Sequence, residues 1–275
     1  MSPGPNVLAA SLSHAAFSFI DPSVRERLLR LECLPAPGEL RALAEGLPSA
    51  LRLWFDFAAQ DQLQLAAAGG FDRWLSRTSC IPTRLGSFHD LFGALIWLHF
   101  PALKTAIHRL QLASEKNARG PRENAATHLD ESGVLVLGTE PRIFESLAAL
   151  EWGEVFWQRR AELERTTRFL VFGHGLLDSL RDPHPRLMGK ALFARVSREQ
   201  FGLGSCDFRV FLDGALAARL ADFLSEPARL NPLPVLGVPG WSPNQSRAYY
   251  EDERYFRSAR RRSRTPSAVH WLTLG

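Results

Sequence analysis

The sequence predicts an α+β fold that is predominantly α-helical, a single compact helical domain with one β-hairpin near residues 126–138. Two observations carry this. Apolar residues recur at helical spacing along most of the 275 residues, whereas one stretch alone, THLDESGVLVLGTEP, reads as strand, turn, strand. The composition, 45% apolar and 23% charged, is that of an ordinary globular protein with material for a real core. It excludes extensive disorder, a collagen-like repeat, a disulfide miniprotein and a bundle of membrane spans. No internal repeat is visible.

Residues 1–20 read as an irregular, loosely docked N-terminal arm. Asp21-Pro22-Ser23 opens a helix whose apolar side is Val24, Leu28, Leu29 and Leu31, and Pro35, Pro37 and Gly38 end it. Further helices are expected over Glu39–Glu45, Ser49–Phe57 and Phe71–Ser76, with Gly69-Gly70 as a joint. Ser87 is an N-cap placed before the apolar run FHDLFGALIWLHF, which must break near Phe100 because Pro101 cannot continue an interior ladder. Pro101 instead opens the next helix. Residues 118–124 (ARGPREN) have loop composition, and Ser132-Gly133 marks the bend of the hairpin. Helical pattern then runs from Pro141 to about Leu180, with further helices near 187–195 and 213–225 and a Pro/Gly-rich stretch from Pro227. The domain is therefore drawn as 21–257, followed by a basic tail over 258–275.

Net charge is +4, with 30 Arg against three Lys (Lys104, Lys116, Lys190), and five of the arginines lie between Arg257 and Arg264. Without Arg257, Arg260, Arg261, Arg262 and Arg264 the chain would be slightly acidic, so the basic character belongs to a tail rather than to a face of the fold. Such a tail suits nucleic acid or an acidic partner, or it is simply a solvated end. Aromatics alternate with arginines just before it, but the interleaved Glu251, Asp252 and Glu253 favour a closing strap that docks Trp241, Tyr250 and Phe256 on the core. Three dispersed cysteines form no CxxC or Cys/His cluster, which fits a reducing, cytoplasmic setting. The N-terminus lacks the basic start of a signal peptide, and the longest uncharged apolar run, Leu91–Leu103, is too short for a membrane span.

Chemistry concentrates at a few polar residues set in apolar segments. His89 and Asp90 begin the run after Ser87, with Gly93 one turn on, as an acid–base pair or metal ligands; the alternative is a helix-terminal carboxylate and a hydrogen-bonded boundary histidine. His174 and Asp178, four apart, suit a pair of metal ligands on one helical face, so His174, Asp178 and His89 form a candidate divalent-metal set; a satisfied core histidine is the alternative. Asp130 is a candidate carboxylate, whereas Glu131 reads as a turn residue. Lys104, Arg122 and Lys190 are candidate anchors for an anionic ligand. No HExxH, GxSxG or strand-linked GxGxxG occurs.

Six ordered segments, FHDLFGALIWLHFPALK (88–104), RGPRENAATHLDESGVLV (119–136), WGEVFWQRR (152–160), FGHGLLD (172–178), GKAL (189–192) and LPVLGVPGWSPNQ…YYEDERYFR (233–257), resemble an uncharacterised, chiefly proteobacterial family catalogued as a domain of unknown function. The resemblance spans roughly residues 50–257. It implies bacterial origin and one family domain across most of the chain, and it brings no activity, substrate or cofactor. The family pattern carries Asn where this chain has Gly93, so a polar group is missing from the His89–Asp90 face. Trp241 and Asn244 fall within the matching segments and join the candidate substrate contacts.

Three functions follow as expectations. The first is a small-molecule enzyme of hydrolase or lyase type, with His89, Asp90, His174 and Asp130 as catalytic groups, an anionic substrate and a divalent metal. The second is a non-catalytic binding protein acting through the tail. The third is a structural or assembly protein whose polar residues only bond one another.

Overall fold

A mixed sheet covered by helices on both faces carries the molecule. The computed structural model describes residues 5–51, 53–113, 120–224, 229–257 and 269–275. Strands β1 (Asp56–Ala59) and β2 (Cys80–Thr83) form a small parallel pair. The main sheet is built from β3 (Gly133–Gly138), β4 (Thr167–Val171), β5 (Met188–Val196), β6 (Asn231–Pro234) and β7 (Leu272–Leu274). β3 lies between β4, antiparallel, and β5, parallel; β6 and β7 share the outer edge of β5. All six residues of β3, GVLVLG, are buried, as an unbroken apolar run must be when both faces of a strand are covered.

The fold is thus α+β and mostly helical, but the expected hairpin does not form. Pro121–Ser132 is a helix, with Pro121 in its first turn, and Ser132-Gly133 is its junction with β3. Ala125, Ala126 and Leu129 bury one side of that helix, and the period of that side decides the conformation. The partners of β3 come from far along the chain. Three other helical expectations also give way to strands: β1 at the end of 49–57, β4 within 141–180, and β5 in place of a helix near 187–195. Short apolar runs satisfy either conformation locally, and neighbouring strands tip the choice. The arm is part of the core. Pro5–Ser13 is helical, and Leu8, Leu12, Phe17, Phe19 and Ile20 are buried.

Other local signals act as read. Asp21 Oδ1 accepts from Ser23 N at 3.0 Å, and Ser87 Oγ accepts from Asp90 N at 3.2 Å. Pro101 starts the Pro101–Ala113 helix directly after the Phe88–His99 helix. Asp213, on the long Ser205–Phe223 helix, takes the Ala102 and Leu103 amides at 3.0 and 2.8 Å and so caps that second helix from across the core. Trp241, Tyr250 and Phe256 are buried, as a docked strap requires, and Tyr255 Oη ties the strap down by accepting from Leu236 N and donating to Leu187 O. Among the described residues no helix is long and apolar enough to cross a membrane. Arg260, Arg261, Arg262 and Arg264 lie outside the described residues; Arg257 is exposed.

Candidate functional site

Three helices each turn one polar line toward a common cavity of about 590 Å³. The Phe88–His99 helix contributes His89, Asp90, Gly93 and Trp97, and the Pro101–Ala113 helix contributes Lys104, His108 and Gln111. The Pro121–Ser132 helix contributes Glu123, Thr127, Asp130 and Glu131. Within each set the spacings are those of one helical face, and each helix also buries an apolar side against the core.

His174 enters from the start of the His174–Ser179 helix, and its neighbours explain how. A Cβ on Gly173 would stand 2.5 Å from Ser132 N and 2.6 Å from the Glu131 carbonyl carbon, with Gly133 N nearer still. One on Gly175 would meet Glu131 Oε2 at 2.6 Å. Residues 173–175 therefore lie directly on the backbone of 131–133, an approach open to glycine alone. Phe172 N and Gly173 N both donate to Gly133 O at 2.9 Å and close the contact.

That approach sets the imidazole chemistry. His174 Nδ1 donates to the Asp130 carbonyl oxygen at 2.8 Å; a carbonyl only accepts, so Nε2 keeps its lone pair. Nε2 lies 3.7 Å from Glu131 Oε1, and the ring meets that of His89 edge-on with centroids 4.5 Å apart. Burial lowers the His174 pKa further than Asp130 and Glu131 raise it, so the ring is neutral. One potential ligand atom from each of His89, Glu131 and His174 falls within 4.8 Å of the others. Ligands about 2.0–2.2 Å from one ion stand roughly 3.5 Å apart in a tetrahedron, so the cluster must contract by about 1 Å. The Glu131 side chain, 49% exposed, is free to make that movement.

Behind the cluster, Lys104 Nζ donates to Asp130 Oδ1 in a buried ion pair and sits 5.1 Å from the centre of the Trp97 ring. Burial alone would raise the Asp130 pKa, but the Lys104 ammonium outweighs it and holds the carboxyl below its usual range. A Cβ at Gly93 would stand 3.5 Å from His174 Cδ2, an ordinary contact, so position 93 faces that ring directly.

The expected site residues divide sharply. His89, His174, Asp130, Lys104 and Asp90 share the cavity wall. Asp90 is already engaged: Arg84 Nε and Nη2 reach its two oxygens at 3.0 and 2.6 Å, and Arg84 N donates to Oδ2 at 2.7 Å. Burial opposes its ionisation, yet Arg84 keeps its pKa low. Asp178 does not join His174, because its carboxylate accepts from Arg181 at 2.9 Å away from the cavity; Glu131 stands in its place. Arg122 points outward from the Pro121–Ser132 helix. Lys190 is fixed in β5 opposite Gly133 and Pro232. Trp241 is a core residue whose carbonyl lies 2.9 Å from His14 Nε2, and Asn244 occupies a left-handed turn with φ 57°. None of these four lines the cavity.

Sequence reasoning missed Glu131 as the companion of His89 and His174, and it missed Asp72 and His108 on the cavity wall. The period was readable for the residues on helices: Glu123, Thr127 and Glu131 at intervals of four, and Lys104 with His108 likewise. Reading residues 126–138 as a hairpin hid the first set.

A family model described as "Protein of unknown function (DUF3025)" matches residues 55–260. No curated protein and no solved structure matches the chain.

Proposed function

The chain belongs to that family, which assigns it no reaction, and from the cavity itself we propose a metal-assisted small-molecule enzyme of hydrolase type, with lyase chemistry as the alternative at the same centre. One observation carries the reading: two imidazoles and a carboxylate, His89, His174 and Glu131, converge within 4.8 Å on the wall of a cavity. A His₂–carboxylate set suits zinc or ferrous iron, and three protein ligands leave a coordination position for water or substrate. A bound ion of this kind polarises a substrate oxygen and brings the pKa of its water down to about 7. The His174–Asp130 bond is the outer hydrogen bond that fixes a ligand histidine's tautomer.

The charge of the wall decides how an anionic substrate is held. Its carboxylates, Asp72, Asp90, Glu123, Asp130 and Glu131, outnumber its cations, and Lys104 and Arg84 are both already paired. An anionic group is therefore recognised by the ion rather than by a basic side chain.

Zinc titration of the full chain against a chromogenic chelator tests the proposal. One ion per chain is expected, with affinity at least ~100-fold weaker in His89→Ala and His174→Ala and intermediate in Glu131→Gln. Absence of binding, or equal binding in folded variants, would overturn it.

A further inference from the structure

His108 is the buried polar group that the metal cluster leaves unused. It lies one turn beyond Lys104 on the Pro101–Ala113 helix, lines the same cavity and is 5% exposed. Its Nδ1 is 2.9 Å from Asp72 Oδ1, on the Phe71–Thr78 helix packed against its own. The carboxylate only accepts, so Nδ1 is the donor, which in the neutral ring leaves the lone pair on Nε2. Among the described residues Nε2 is buried and has no hydrogen-bond partner. An unmet buried polar atom costs about 1–3 kcal/mol, so folded proteins keep few of them. The contrast with His99, wholly buried in the same core, is direct: there Nε2 accepts from Asp21 N at 3.0 Å and Nδ1 lies 2.7 Å from Leu95 O.

An imidazole on a cavity wall, oriented by a carboxylate and with its second nitrogen unsatisfied, is the kind of group that general acid–base catalysis uses. We infer that His108, oriented by Asp72, is the catalytic acid–base residue of this cavity, an inference that rests on the metal-assisted reading above. In hydrolysis the oxygen of the attacking water bonds to the substrate's carbonyl carbon or phosphorus, and its proton passes to Nε2. The electron pair of the broken bond departs with the leaving group, which then takes the proton from Nε2. Nothing is oxidised or reduced. Asp72 keeps the Nδ1 proton in place throughout and stabilises the imidazolium while it lasts.

The test uses the zinc-loaded full chain and acetohydroxamate, a small acid that binds zinc as its anion. Calorimetric titration at neutral pH in two buffers of different ionisation enthalpy counts the protons released. If Nε2 takes the hydroxamate proton, the wild type releases almost none, whereas His108→Asn releases about one and binds acetohydroxamate roughly tenfold or more weakly with zinc affinity unchanged. His108→Phe, which also lacks a ring nitrogen, repeats the comparison should the first variant not fold. Equal proton release in wild type and variant overturns the inference, and so does failure of both variants to fold, which would make His108 structural. Loss of zinc affinity in folded variants makes His108 a ligand and also overturns it. Failure of the wild type to bind zinc is a different result and removes the metal reading beneath it.

Discussion

Replacing Lys104 by Met removes one half of a buried ion pair at nearly constant side-chain length. The two side chains are 6% and 12% exposed, so water cannot replace the lost partner. Two unit charges about 3 Å apart attract by roughly 5 kcal/mol at an effective dielectric of about 20, and breaking a buried pair from one side typically costs about 3–5 kcal/mol. Met retains the contact with Trp97, so a loss at the low end of that range, about 3 kcal/mol at neutral pH, is expected. That is a large part of a total stability of about 5–15 kcal/mol. Urea unfolding followed by tryptophan fluorescence measures it. The pH dependence has a definite sign. In the wild type the folded-state pKa of Asp130 is lowered, so its contribution is present above the unfolded carboxylate value near 3.8 and is lost as pH falls through the folded one. In the variant desolvation dominates and Asp130 takes up a proton more readily, so the gap between the two proteins narrows on acidification. Lys104→Met/Asp130→Leu, with both charges gone, should recover most of the loss. A single variant within about 0.5 kcal/mol of wild type, or additivity of the two single changes, would refute the argument.

Three further outcomes follow from the same structure. The His99 pKa is depressed from 6.5 to about 3, by burial first and by Arg209 second. Its stabilising contribution is therefore complete above pH 6.5 and falls by up to about 1.4 kcal/mol per unit between there and about 3; unfolding across that window should show a slope that His99→Gln reduces, and an unchanged slope would contradict the assignment. Gly173→Ala should cost more than about 2 kcal/mol and weaken zinc binding without altering a ligand, because its methyl meets the backbone of 131–133; a wild-type melting temperature together with wild-type zinc affinity would remove this account of how His174 is placed. Asp90→Asn, which breaks the Arg84 clamp, should lower stability by about 1 kcal/mol and leave zinc affinity within a few-fold of wild type; a collapse of affinity would restore Asp90 to the metal site.

Much of the site was legible because its residues contradict their surroundings. His89 in an apolar helix, His174 between two glycines, and Lys104 in a chain of arginines all stand out in one dimension, and all three meet in the cavity. Lys190, Trp241 and Asn244 stand out as well, yet they serve the sheet, the core and a turn. Unusual residues identify constraint; they do not identify its kind. Asp72 and His108 gave no such signal, since an acidic residue in a helix's first turn and a histidine at helical spacing are ordinary features.

Local sequence by itself determined the helix starts at Asp21, Ser87 and Pro101, the helical majority and the aromatic strap, because caps, proline and periodic burial act within a few residues. The strands needed more. β3, β4 and β5 draw their hydrogen bonds from segments about 30 to 60 residues apart, so short apolar runs acquire extended structure only when those partners arrive. The same long-range packing puts Glu131, an apparent turn residue, on a helix beside the candidate carboxylate Asp130. It also seats Gly173 on the backbone beside them, and only then do His89, Glu131 and His174 converge.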